Sequence, residues 1–199
     1  MMDSYQTLEE TLTGEGYYSE KRSKFLAFAH HVDTVEQAKA FIANYRKKYF
    51  DARHCCYAYV LGSDGSEFRA YDDGEPSSTA GKPILGQIVS RNLTNVLICV
   101  IRYYGGVNLG TGGLIVAYRT AAADAIDHSK IVTRLVQEQI TFRFTYPMMN
   151  GVMNIVKDMQ PKIISQTFDN DCEIVLSIRK SKVEELSKRL QNLTFGGQS

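Results

Sequence analysis

Two loops concentrate the residue types able to do chemistry. The first reads YDDGEPSSTAGKP (Tyr71–Pro83) and the second RYYGGVNLGTGGL (Arg102–Leu114). Each follows an apolar, strand-like run and leads into an apolar, helix-like run. Glycine in such places permits positive φ or close backbone approach, at an entropic cost that a site or a tight crossing would justify. A helix that starts right after a glycine-rich loop presents backbone N–H groups suited to phosphate or carboxylate. Thr79 and Lys82 belong to the first such start, and Arg102, Asn108, Thr111 and Gly112 to the second. Gly105 and Gly106 complete the second loop.

Asp72, Asp73 and Glu75 supply the opposite charge. With His54 on the preceding strand they suit magnesium binding or acid–base work; equally, such a run caps turns and pairs with Arg53, Arg69 and Arg102. Gly81-Lys82-Pro83 is not a nucleotide-binding P-loop, because Pro83 stands where the magnesium-binding Ser or Thr belongs. Tyr57, Tyr59, Phe68, Tyr71, Tyr103, Tyr104 and Tyr118 all fall within the first 136 residues. Tyrosine interleaved with Arg69, Lys82 and Arg102 suits base stacking beside phosphate contacts, or a core edged by hydroxyls.

The elements that must position these residues follow from periodicity. Tyr17–Val32 reads as one or two strands, and Thr34–Phe50 as a helix, with Asp33 and Thr34 each matching a capping box. Arg53–Leu61 and Phe68–Tyr71 form a hairpin around Gly62–Gly65. Pro83 opens a helix, Val96–Tyr103 is a central strand, and Leu114–Ile126 is an alanine-rich helix. Residues 1–14 read as a loosely held arm. Beyond residue 136 the pattern restarts as β-α-β-β-α, most of a ferredoxin-like split βαβ unit. Leu193–Phe195 is a candidate short last strand there. The expectation is therefore α+β with two domains, 1–136 and 137–199.

Composition sets bounds. The chain of 199 residues carries a formal net charge of +1, and both proposed domains are balanced. Nucleic-acid contact would have to come from local arrangement, not bulk charge. The four cysteines lack metal-ligand spacing and read as buried, reduced thiols; those in an apolar strand are poor nucleophiles. His30 and His31, adjacent on a strand, point to opposite faces and do not make a ligand pair. No signal-like segment opens the chain, and the longest apolar run, Val96–Ile101, is far too short to span a bilayer. A cytoplasmic protein without membrane attachment is expected.

Ala52-Arg-His-Cys-Cys-Tyr-Ala58, Asp72-Asp-Gly-Glu-Pro-Ser-Ser-Thr-Ala-Gly-Lys-Pro83 and Val100–Leu114 with Ala117-Tyr118 together resemble the YigZ/IMPACT family over about residues 16–130. Ser78 stands where glycine is usual in that family and Tyr104 where phenylalanine is. The resemblance implies an N-terminal domain similar in fold to the second domain of a small-subunit ribosomal protein and to domain four of elongation factor G, followed by a ferredoxin-like domain. Eukaryotic relatives restrain a starvation-activated translation kinase by competing for its ribosome-associated activator. The resemblance carries over no catalytic residue, metal or cofactor. It implies a binding protein acting around translation, whose partner is RNA, the ribosome or a ribosome-associated protein. The residues expected to bind are His54, Arg69, Asp72, Asp73, Glu75, Thr79, Lys82, Arg102, Tyr103, Gly105, Gly106, Asn108, Thr111 and Gly112. The alternative is a metal-dependent hydrolase using His54, Asp73 and Glu75.

Overall fold

A computed structural model describes residues 3–169 and 171–195. The chain forms two compact units, one spanning Ser4–Arg134 and the other combining Asp3 with the residues from Leu135 onward. The elements of the first are β1 (Ser4–Leu8), β2 (Gly14–Glu20), β3 (Ser23–His31), α1 (Val35–Lys48), β4 (His54–Leu61), β5 (Glu67–Tyr71), α2 (Gly81–Ser90), β6 (Val96–Tyr103), α3 (Gly110–Asp127) and β7 (Ile131–Leu135). The second contains β8 (Gln137–Phe144), α4 (Met149–Met159), β9 (Lys162–Phe168), β10 (Cys172–Arg179) and α5 (Val183–Phe195).

Five antiparallel strands in the order β2-β3-β6-β4-β5 form the first unit's main sheet. Strand period two sends Phe25, Ala27 and Ala29 of β3 to one face, with Cys56, Ala58 and Val60 of β4. Ile84 and Ile88 of α2 and the alanine row of α3 cover that face. Helix α1 covers the other face, placing Ala38 and Ile42 against Tyr57, Tyr59, Leu97 and Cys99. Central β6 is buried on both sides, which is why VLICVIRY is nearly continuous in apolar residues. Thr34 caps α1, its hydroxyl accepting from the Gln37 N–H at 3.2 Å, and the Gln37 side chain returns to the Asp33 N–H.

Strand direction decides where the two loops emerge. Since β4 is antiparallel to both β5 and β6, the last two run the same way and end at the same edge of the sheet. The register also pairs His54 with Arg102 at that edge.

Two expectations need correcting. Residues 4–8 are not part of a loose arm: they form β1, which pairs with β7, and Leu8 is buried in the core because its strand lies against the rest of the unit. Leu193–Phe195 is not a strand but the last turn of α5, where Leu193 joins the apolar face led by Leu186 and Leu190. The second unit is a three-stranded antiparallel sheet of order β8-β10-β9. Its inward set Cys172, Ile174, Leu176 and Ile178 packs on α4 and α5. Among the described residues no helix is long and apolar enough to cross a membrane.

Candidate functional site

The first loop folds around its own aspartate. Asp72 turns back so that Oδ1 accepts from the Ala80 and Gly81 N–H groups at 3.1 and 2.8 Å, while Oδ2 accepts from the Ser78 N–H at 2.8 Å. The start of α2 is thus filled by a carboxylate of the same chain. This corrects the expectation that both helix starts present free N–H groups. Ser78 has φ +65°, the left-handed region, which explains why glycine suits that position. Thr79 is buried, its hydroxyl donating to the Pro76 carbonyl at 2.6 Å, and Lys82 is exposed on α2 outside the cleft described below.

Asp73 is drawn the other way, toward β4. Its Oδ2 accepts from the Cys55 N–H at 2.7 Å, its Oδ1 pairs with Arg46 at 2.7 Å, and its backbone carbonyl accepts from His54 Nδ1 at 2.7 Å. Glu75 turns inward, its side chain only 4 % exposed. Its Oε1 accepts from Arg102 Nη1 at 2.6 Å and from the Tyr118 hydroxyl at 2.7 Å; its Oε2 faces His54 Nε2 at 3.8 Å. Glu75 is therefore the floor of the site.

Arg102 is 6 % exposed in its side chain and joins the two loops. Its Nη2 reaches Ser23 Oγ at 3.5 Å, and its guanidinium lies 5.5 Å from the rings of both Phe25 and Tyr104. Its Nε is buried without a partner. A buried ion pair survives desolvation only when its remaining polar atoms are satisfied. Tyr118 supplies part of that satisfaction as a permanent donor, since burial, and then the neighbouring Cys56, push its hydroxyl far above the usual phenol range. The Cys56 thiol donates in turn to Tyr118, and burial raises it well out of the thiolate range, which removes it as a nucleophile.

In the second loop, Gly105 runs so close to Arg22 and Ser23 that a Cβ would stand 2.2 Å from the Arg22 carbonyl carbon, and its N–H donates to Ser23 Oγ at 3.2 Å. Gly106 has φ +82°. Gly112 has neither a close neighbour nor a positive φ, so its backbone makes no demand for glycine. Tyr103 points away and donates to Asp51 at 2.9 Å. The half-exposed Tyr104 donates to Asn108 Oδ1 at 3.2 Å. Helix α3 then begins at Gly110 with no side chain capping it.

The result is a cleft of about 570 Å³, a size usual for ligand sites. One wall is Arg53, His54 and Glu75; the other is Tyr104, Asn108 and the first turn of α3 at Gly110 and Thr111. Of the residues expected to bind, the cleft gathers His54, Glu75, Arg102, Asn108 and Thr111. Asp72, Asp73, Gly105 and Gly106 shape its loops, while Arg69, Thr79, Lys82, Tyr103 and Gly112 do not line it. Arg69 lies on edge strand β5, its guanidinium 6.0 Å from the Tyr71 ring. Sequence reasoning passed over Arg53 as a cleft residue, although its place beside His54 at a strand start was a usable signal.

The hydrolase trio does not assemble, because Asp73 is held by Cys55 and Arg46 away from the His54–Glu75 pair. Among the described residues the side chains grouped at metal-ligand distances are Glu10, His31 and Asp33. Arg134 already places its guanidinium there, 2.8 Å from Glu10 and 3.3 Å from His31 Nε2.

Fold and site together define a two-domain α+β protein whose first domain holds a buried Glu–Arg–Tyr network beneath a cleft between two glycine-rich loops. Residues 21–126 match the family profile described as the Impact N-terminal domain, and the chain belongs to the IMPACT family. It is 34 % identical to IMPACT family member YigZ of Escherichia coli over 88 % of this chain and 87 % of that protein. It is 31 % identical to IMPACT family member YvyE of Bacillus subtilis over 98 % and 89 %. A crystal structure of a hypothetical protein, 32 % identical, superposes with a TM-score of 0.79 over 98 % of this chain and 95 % of that one.

Proposed function

We propose that this protein is a binding protein acting around translation, and that it contacts RNA, free or within the ribosome, through the cleft between its two glycine-rich loops. Family membership supports the setting, through the role of the eukaryotic relatives in restraining a translation kinase. The observation that carries the contact itself is the uncapped start of α3 opening beside Arg53. The N–H groups of that first turn and the positive end of an 18-residue helix favour a phosphate. Arg53 adds a cation, and Tyr104, 48 % exposed at the rim, offers a ring on which a base can stack. Arg102 adds little net charge, because Glu75 neutralises it. A site with so few cations binds modestly and weakens with salt.

The test is a salt titration of RNA binding by the Arg53→Ala and Lys82→Ala variants. If Arg53 meets a phosphate, its loss flattens the slope of log affinity against log salt by up to about one unit. Lys82, exposed outside the cleft, leaves the slope as it was. An Arg53→Ala protein that stays folded and keeps the wild-type slope and affinity would overturn the reading.

A further inference from the structure

The floor of the cleft carries a feature that phosphate binding does not use. His54 Nδ1 lies 2.7 Å from the Asp73 backbone carbonyl, which can only accept, so Nδ1 carries the ring hydrogen. In the neutral ring Nε2 then presents a lone pair. Glu75 is in a similar state: Oε1 takes two hydrogen bonds, whereas Oε2 takes none among the described residues and has His54 Nε2 at 3.8 Å. With the ring neutral, two acceptors stand side by side with no hydrogen between them. One belongs to a side chain only 4 % exposed, and its unbonded oxygen opens on the cleft, within reach of a donor from outside.

We infer that this pair binds two hydroxyl donors on adjacent carbons, the 2′,3′-diol of a ribose, and that the cleft takes a 5′-phosphorylated ribonucleotide unit with both hydroxyls free. The inference rests on the phosphate reading above and extends it to the sugar. Neighbouring hydroxyls can each reach one acceptor of a pair 3.8 Å apart at an ordinary O–H···O or O–H···N length of about 2.8 Å. A lone hydroxyl leaves one acceptor empty. An ammonium would satisfy both, but Arg102 already neutralises Glu75, and Arg53 with the α3 start makes the cleft unfavourable to a second cation. With the diol on the floor, the phosphate meets the first turn of α3 and the base meets Tyr104. Inside an RNA chain the 3′ oxygen is esterified, so the matching unit is either the 3′-terminal nucleotide of an RNA or a free nucleotide.

Calorimetry on the full chain separates these cases. The probes are adenosine 5′-monophosphate and its 2′-deoxy form, and one short RNA ending either in a free diol or in a 2′,3′-dideoxynucleotide. Removal of each hydroxyl is expected to weaken binding about 10-fold. A diol-dependent RNA with a silent mononucleotide assigns the site to RNA ends, and the reverse assigns it to free nucleotides and sinks the RNA proposal alone. RNA that binds equally with either terminus, alongside a mononucleotide indifferent to its 2′-hydroxyl, overturns the diol inference and leaves the RNA proposal standing. Binding by none of the probes overturns both. The His54→Asn variant checks the residue: its amide can still donate to the Asp73 carbonyl but offers nothing at the Nε2 position. The diol preference should shrink about 10-fold in that variant, and an unchanged preference in a folded protein counts against the assignment.

Discussion

The starts of α2 and α3 look alike in sequence and differ in the folded chain. Both helices begin at a glycine after a loop that leaves the same edge of one sheet, and neither has a residue at the cap position whose side chain closes it. At α2 the carboxylate of Asp72 reaches across from the far side of the loop and takes the Ala80 and Gly81 N–H groups. At α3 no side chain does the same, and the first turn opens on the cleft. One start has its anion supplied by the chain and serves to hold a loop in shape. The other has no side chain at its cap and opens on the cleft. The contrast shows that a glycine-rich helix start marks a capacity for anions, and that the nearest carboxylate decides whether the capacity is spent at home.

The largest expected effect comes from cutting the link between the loops. Glu75→Ala leaves Arg102 buried without its carboxylate, and unfolding by denaturant should show a loss of about 3–5 kcal/mol. A loss below about 1 kcal/mol would mean that the two loops are held independently. Next, Asp72→Ala empties the α2 start and should cost about 1–2 kcal/mol, as removal of a helix cap does. If thermal melting shows no change, the two starts are equivalent and the contrast fails. Within the second loop, Gly106→Val places a branched side chain at φ +82° and should cost about 1 kcal/mol or more. Gly112→Ala, in open space on α3, should be neutral or stabilise by up to about 1 kcal/mol. Equal melting temperatures for these last two variants would show that the loop tolerates any residue.

Most of the architecture was legible because it rests on short-range pattern. Period-two runs, the Thr34 cap and the alanine row of α3 each announced a strand or a helix locally. What escaped were features made by distant partners. β1 was missed because SYQTL is polar in composition, and its place depends on β7, more than 120 residues later. The candidate site divides along the same line. The loops were found from glycine and acid content alone, yet the three acids within residues 72–75 have three different fates. Asp72 serves α2, Asp73 serves β4, and Glu75 serves Arg102. Spacing cannot report that, because the outcome is fixed by left-handed turns at Asp73, Gly74 and Ser78, which swing successive side chains in different directions. Lys82 was counted as a site cation on proximity in sequence; in space Arg53, farther along the chain from either glycine-rich loop's helix start, lines the cleft and Lys82 does not.

The pairing of β1 with β7 brings the two ends of the first unit side by side. A segment whose ends meet in this way is a closed module, and it can be spliced into another chain at a surface loop without stretching its host. The same closure sets the minimum excisable piece. A fragment cut to the family-matched span, residues 21–126, would discard β1, β2 and β7 and uncover the side of α3 that packs on β2. A fragment of residues 4–135 would keep the β1–β7 pairing intact.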